Sequence, residues 1–118
     1  MGHSQPQTRL AVVPLPAEID ITNAREAGRD LLAAVVPGVS AIVADMTATT
    51  FFDSSGASML ALIHSQALLQ KAGLILVVPS AAVLRALALT GLDHLMPVYP
   101  SLDEALSAES LPESEAIR

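Results

Sequence analysis

The sequence contains no cysteine and no tryptophan. Without cysteine there is no disulfide scaffold, thiolate metal site or cysteine nucleophile. Aromatic side chains are scarce too, one tyrosine and two phenylalanines, so the core must be built from Ala, Val, Leu and Ile without large rings to fill it. Charged residues make up only 15% of the chain, and basic ones are the rarer kind: six Lys and Arg against twelve Asp and Glu, a formal net charge of −6. Such a balance is poorly suited to gripping nucleic-acid phosphates, so no direct nucleic-acid contact is expected. Long uncharged apolar runs are missing as well. The richest stretch, residues 57–69, is interrupted by Ser58, His64, Ser65 and Gln66, and no membrane insertion is expected. The opening MGHSQPQTRL lacks a signal-peptide core, which points to a cytoplasmic protein.

What the chain does have is apolar bulk: 52% hydrophobic residues in 118 positions, enough for one folded domain and too many for a disordered chain. The expected division is a polar lead-in over 1–9, a domain over 10–108 and an acidic tail over 109–118. Strands and helices alternate. Leu10–Pro16 reads as a strand in which Pro14 and Pro16, lacking donors, mark either a sheet edge or the strand's end. Ala24–Leu32 has helical spacing, with Ala24, Ala27, Leu31 and Leu32 on one side and Arg25, Glu26, Arg29 and Asp30 on the other. Val39–Met46 is apolar enough for a strand buried on both faces. Thr47–Phe52 is extended in character. Ala57–Lys71 reads as the clearest helix, closed by Gly73, and Leu74–Val78 as the clearest strand. Ala81–Leu89 is a helix stopped by Thr90-Gly91. Met96–Tyr99 is a short strand, and Ser101 with Glu104 forms a capping box. The class is α/β: a single sheet of about four to five mostly parallel strands with helices packed on it.

The informative segment is Asp53-Ser54-Ser55-Gly56, between an extended stretch and a helix. Unpaired N–H groups and the positive end of the helix dipole make this a place where negative charge is tolerated. It suits a helix cap, an anion contact or a modified hydroxyl. Ser55 has two readings, a second hydroxyl open to modification or, the one expected, a helix cap; Gly56 is expected to permit close approach of another backbone. Asp53 has two readings, a cap of the same turn or a group that positions the Ser54 hydroxyl. The following helix is apolar nearly all round: Leu60, Ile63, Ala67 and Leu68 form one stripe, and Met59, Leu62 and Leu69 another. His3, His64 and His94 are isolated, so neither a metal site nor a cofactor is expected.

The segment 41–56, AIVADMTATTFFDSSG, resembles the signature of STAS domains, found in anti-sigma factor antagonists and in the cytoplasmic tails of sulfate transporters. Its pattern is an apolar strand ending in Asp (here Asp45), an extended link with an aromatic, and Asp-Ser-Ser/Thr-Gly opening a helix. Glu18-Ile19-Asp20 resembles the family's Gly-Glu-Leu-Asp segment. Ala88-Leu89-Thr90-Gly91-Leu92-Asp93 resembles its turn before the last strand. Asp20 keeps two readings, a partner contact near Ser54 as its family position suggests, or the N-cap of the first helix. The prolines of the first strand and Ala17 in place of the usual Gly imply a shortened or bent first hairpin. Ala57 and Ser58 stand where the family usually has Leu-Gly, a departure that bears on partner choice.

The resemblance implies a non-enzymatic partner switch. An anti-sigma factor with serine kinase activity would be captured by the unmodified chain, and phosphorylation at Ser54 would release it. A phosphatase would restore binding. Asp20, Asp53, Ser55, Gly56, Met59 and Leu62 are the candidate partner-binding residues. The alternative is a STAS-type accessory subunit of a membrane transport or signalling complex. A nucleotide-handling enzyme is disfavoured, because one glycine without a following lysine is not a phosphate loop.

Overall fold

The computed structural model describes residues 9–110. In chain order its elements are β1 (Leu10–Pro14), β2 (Glu18–Ile19), α1 (Ala24–Ala33), β3 (Ala41–Asp45), β4 (Phe51–Phe52), α2 (Ser54–Leu69), β5 (Gly73–Val77), α3 (Ala81–Thr90), a 3₁₀ turn (Leu92–His94), β6 (Val98–Tyr99) and α4 (Leu102–Glu109). Four strands form a parallel sheet in the order β1-β3-β5-β6, and β2 pairs in parallel with β4 in a separate two-stranded ladder. The expected α/β class and parallel sheet are therefore present.

β1 is an edge strand and Pro14 is its last residue, so both places that proline tolerates are realised. In parallel pairing only alternate residues bond to a given neighbour; Leu15 N–H donates to the Asp45 carbonyl at 2.8 Å, and the missing donor of Pro14 costs the ladder nothing. The expected first hairpin is not formed. β1 pairs with β3 and β2 with β4, because Leu15, Pro16 and Ala17 carry the chain out of the main sheet instead of folding it back.

Period-two alternation divides β3 and β5 between two cores. Ile42, Ala44, Leu74 and Leu76 face the side covered by α1, α2 and α3, with Leu31, Leu60, Ile63 and Leu87. Ala41, Val43, Ile75 and Val77 face the other side, where α4 supplies Ala105 and Leu102. With few rings available, close approach of helices replaces bulk. A Cβ at Gly28 of α1 would lie 3.0 Å from Met59 Cγ and 3.4 Å from Ile63 Cδ1 of α2.

The long helix begins at Ser54 and ends at Leu69, earlier at both ends than the expected 57–71. Gly73 does not close it; it opens β5. Closure falls to Lys71, which adopts φ 63° while its N–H bonds to the Leu68 carbonyl and the Ala72 N–H to that of Ala67, both at 2.9 Å. These two bonds satisfy the last carbonyls as a Schellman motif does, with lysine at the left-handed position usually held by glycine. Lys71→Gly is therefore expected to stabilise the protein by about 0.5–1 kcal/mol, read as a higher midpoint in urea with unchanged slope.

α3 is capped by Ser80 and ends at Gly91, φ 78°, and α4 by Ser101, whose Oγ accepts from Glu104 N–H at 3.1 Å. Glu109, expected in the tail, is instead the last residue of α4, and its carboxylate accepts a hydrogen bond from the Tyr99 hydroxyl. Ser110 is the C-cap of that helix, and the tail from 111 to 118 lies outside the described residues. The bond to Glu109, reinforced by partial burial and the carboxylate's charge, raises the Tyr99 phenol from its ordinary 10 to about 12. Tyr99 is the sole tyrosine and there is no tryptophan, so phenolate absorbance reads it directly. The midpoint is expected near 12 and to fall in Glu109→Gln, which removes the carboxylate's charge and leaves the burial. Because the folded value is raised, the stability linked to this bond is complete below pH 10 and disappears as pH climbs towards 12.

Candidate functional site

The ladder β2–β4 brings together two segments more than thirty residues apart. Ile19 is in register with Phe52, and Asp53 N–H donates to the Ile19 carbonyl at 3.3 Å. Asp20 and Asp53 directly follow these paired residues, so the two acidic candidates stand at the end of one ladder.

Asp53 is the N-cap of α2. From an extended conformation its Oδ1 accepts the N–H of Ser55 at 2.9 Å and of Gly56 at 3.3 Å. The expectation that the Ser55 hydroxyl caps this helix is thus corrected: a carboxylate carries more acceptor charge than a hydroxyl and sits one position earlier, where the backbone is still extended. With Asp53 turned onto its own helix, Ser54 becomes the first helical residue and is exposed. Gly56, two residues on, is buried. A Cβ there would lie 2.7 and 2.8 Å from two atoms of the Phe52 ring and 3.0 Å from Ile19 Cγ2. Two side chains, not a neighbouring backbone, make the close approach.

Asp20 does not cap α1. The N-cap is Asn23, without a side-chain cap bond; its amide donates to the Glu18 carbonyl and its Oδ1 accepts Asp20 N–H. Asp20 Oδ1 instead accepts both the hydroxyl and the N–H of Thr22, the latter at 2.9 Å. These bonds, the hydroxyl first, hold its carboxyl below the ordinary carboxylate range. Asp45 Oδ1 likewise accepts the hydroxyl and the N–H of Thr47 at the end of β3. Three Asp-x-Thr/Ser turns thus terminate β2, β3 and β4, each tying a carboxylate to the backbone two residues on.

α1 and α2 enclose a groove of about 560 Å³ whose walls include Ser54, Ser55 and Ser58 from α2 and Arg25 and Arg29 from α1. Its apolar lining includes Met59, Leu62 and Ile63. Met59 is only 7% exposed and forms part of the floor, whereas Leu62 is 56% exposed and Ile21, on the opposite shoulder, 82%. The two stripes read along α2 are redistributed: Met59 joins Leu60, Ile63 and Ala67 in burial, and Leu68 joins Leu62 and Leu69 outside. The cause is the second helix, since α1 covers the Met59 side. The polar side of α1 is divided likewise. Arg25 and Arg29 face the groove, while Glu26 and Asp30 line a separate depression beside Pro14, Leu15 and Pro16. Ile21, Arg25 and Arg29 were missed as site residues; the i, i+4 spacing of the arginines was the available signal, but only the placement of α2 gives it meaning.

His64 is partly buried in α2, its Nδ1 without a hydrogen-bond partner. No group of three or more His, Cys, Asp or Glu that could hold a metal ion occurs among the described residues, and no described helix is long and apolar enough to cross a membrane.

A profile of the STAS domain matches residues 4–105. The chain belongs to the STAS domain family. Among solved STAS structures it is similar to an anti-sigma factor antagonist from Mycobacterium paratuberculosis, at 35% identity and TM-score 0.75 over 85% of each chain. It shares its fold with the anti-sigma factor antagonist SpoIIAA in its unphosphorylated form, at 22% identity and TM-score 0.69, covering 84% of this chain and 86% of that one. It also shares its fold with a sulfate transporter family protein from Wolinella succinogenes, at 16% identity and TM-score 0.71, covering 83% of this chain and 82% of that one. No sequence match was found among curated proteins. Within this STAS domain, the turn at Thr90-Gly91-Leu92 carries the left-handed Gly91 and the buried Leu92 that end α3 and lead into β6.

Proposed function

We propose that this STAS domain is an anti-sigma factor antagonist controlled by phosphorylation of Ser54. Unmodified, it captures an anti-sigma factor that is also a serine kinase, and so releases a sigma factor for transcription. The kinase transfers the γ-phosphoryl group of ATP to Ser54 Oγ. The bond from the γ-phosphorus to the bridging oxygen breaks, ADP leaves, and the hydroxyl proton passes to a base on the kinase. A phosphatase hydrolyses the ester and restores capture. In this scheme the chain supplies an acceptor hydroxyl and no catalytic group, and it acts in the cytoplasm on proteins alone.

The observation that carries the reading is the exposure of Ser54 as the first residue of α2, beside the exposed Leu62 and Ile21, while Asp53 is committed to the helix end. The similarity to the M. paratuberculosis antagonist supports it. The likeness to the sulfate transporter family protein is one of fold, and the intact Asp53-Ser54-Ser55-Gly56 turn favours the antagonist over an accessory transport subunit.

The test is a pull-down from cell extract with the Ser54→Ala form, followed by incubation of the retained protein with labelled ATP and either the parent or the variant. Recovery of a kinase that labels the parent and not Ser54→Ala is expected. Recovery of transporter subunits alone, or equal labelling of both forms, sinks the proposal.

A further inference from the structure

Arg25 and Arg29 are placed against ordinary helix electrostatics. Four residues apart on one face of α1, they repel each other. Arg25 lies in the first turn, where the dipole disfavours a cation. Glu26 and Asp30, which are near enough in sequence to neutralise them, line a different depression. Among the described residues the one salt-bridge contact is that of His94 with Asp93, so neither guanidinium is paired with a carboxylate. In a chain of net charge −6, two of its six basic residues thus share a groove with three serine hydroxyls and no acid.

We propose that Arg25 and Arg29 form the receiving site for the phosphate on Ser54, so that the modified side chain is drawn across the α1–α2 groove and held against α1. The inference rests on Ser54 being the modified residue. A phosphoserine brings about −1.5 to −2 charges and three acceptor oxygens, and guanidinium groups bind such oxygens in pairs. It would relieve both the mutual repulsion of the arginines and the unfavourable position of Arg25. No acidic wall opposes it: Asp53 is turned onto the N–H groups of Ser55 and Gly56, and Asp20 onto Thr22. Glu18, Glu26, Asp30 and His64 do not line the groove. Phosphorylation would then act twice, adding charge at the partner-facing turn and covering the groove between Ile21 and Leu62.

The test installs phosphoserine at position 54 by amber-codon incorporation, which needs neither a kinase nor a partner, and follows the phosphate by ³¹P NMR against pH. In the parent the second ionisation is expected about half to one pH unit lower than in the Arg25→Gln/Arg29→Gln variant, with the difference shrinking at high salt. Arg25→Lys/Arg29→Lys is expected to recover part of the shift, since lysine keeps the charge without the fork. Thermal unfolding of the unmodified glutamine variant checks that the fold is intact, and the single variants serve if it is not. Identical phosphate titrations in the parent and the glutamine variants overturn the proposal. Kinase labelling is independent of this measurement: if labelling of Ser54 succeeds and the titration does not move, this inference alone fails. If labelling fails and the titration moves, the functional reading is lost and the phosphate-receiving groove stands.

Discussion

Ser54→Glu is expected to weaken capture of the anti-sigma partner by about a hundredfold or more while leaving the melting temperature within about 2 °C of the parent. The two effects separate because they have different physical origins. In the free chain, position 54 is exposed at the first turn of α2, where the helix dipole favours a carboxylate. Folding therefore tolerates the charge. In a complex the same carboxylate must lose its water at a partner surface shaped for a neutral hydroxyl. Desolvating a charge that the partner does not pair costs several kcal/mol, and each 1.4 kcal/mol is tenfold in affinity. Ser54→Ala, which adds no charge, is expected to bind as the parent does and to resist release by kinase and ATP. Isothermal titration against the purified partner, paired with thermal melts, reads both quantities. Equal affinity in Ser54→Glu, or a loss of affinity that tracks a loss of stability, contradicts the assignment.

Gly56→Val is expected to destabilise the fold by about 3 kcal/mol, a drop of roughly ten degrees or more in melting temperature. The first added carbon alone would sit 2.7 Å from the Phe52 ring, and the ring is itself buried against the core. Either α2 lifts away from the β2–β4 ladder or Phe52 leaves its rotamer. Lifting α2 displaces Ser54 with it, so partner capture should fall together with stability, in contrast to Ser54→Glu. Phe52→Leu in the same chain is expected to return part of the loss, because it removes the atoms that collide. A valine variant that melts with the parent would mean that the glycine is not held by packing.

Much of the architecture was legible in sequence because the relevant signals are local. Ala41–Asp45 is apolar at every position but its last and proves to be a strand covered on both faces. Ser80, Gly91 and Ser101 act as helix boundaries because capping depends on backbone geometry within a few residues. The STAS resemblance of the Asp53-Ser54-Ser55-Gly56 turn rests on the same kind of short-range pattern, and the family match bears it out. Errors appear where a residue's role depends on what stands opposite. Lys71, not Gly73, closes α2, since the register of β5 against β3 uses the glycine as its first strand residue. Glu109 belongs to α4, where its carboxylate accepts the hydroxyl of Tyr99 from the preceding strand. Asp20 is absorbed by Thr22 instead of capping α1.

The amino-acid sequence by itself determined the alternation of elements, the place where its prolines end or edge β1, and the helix-opening turn that presents Ser54. Each of these depends on hydrophobic period, proline geometry or capping chemistry, which act over a few residues. Only the tertiary structure decided what that turn faces. Pairing of β2 with β4 puts Asp20 beside Asp53, and the packing of α1 on α2 turns Arg25 and Arg29 towards Ser54 while sending Glu26 and Asp30 away. A helical wheel marks all four charges as one polar side. The second helix divides them, because burial and facing are properties of a pair of elements and are not encoded in either one alone.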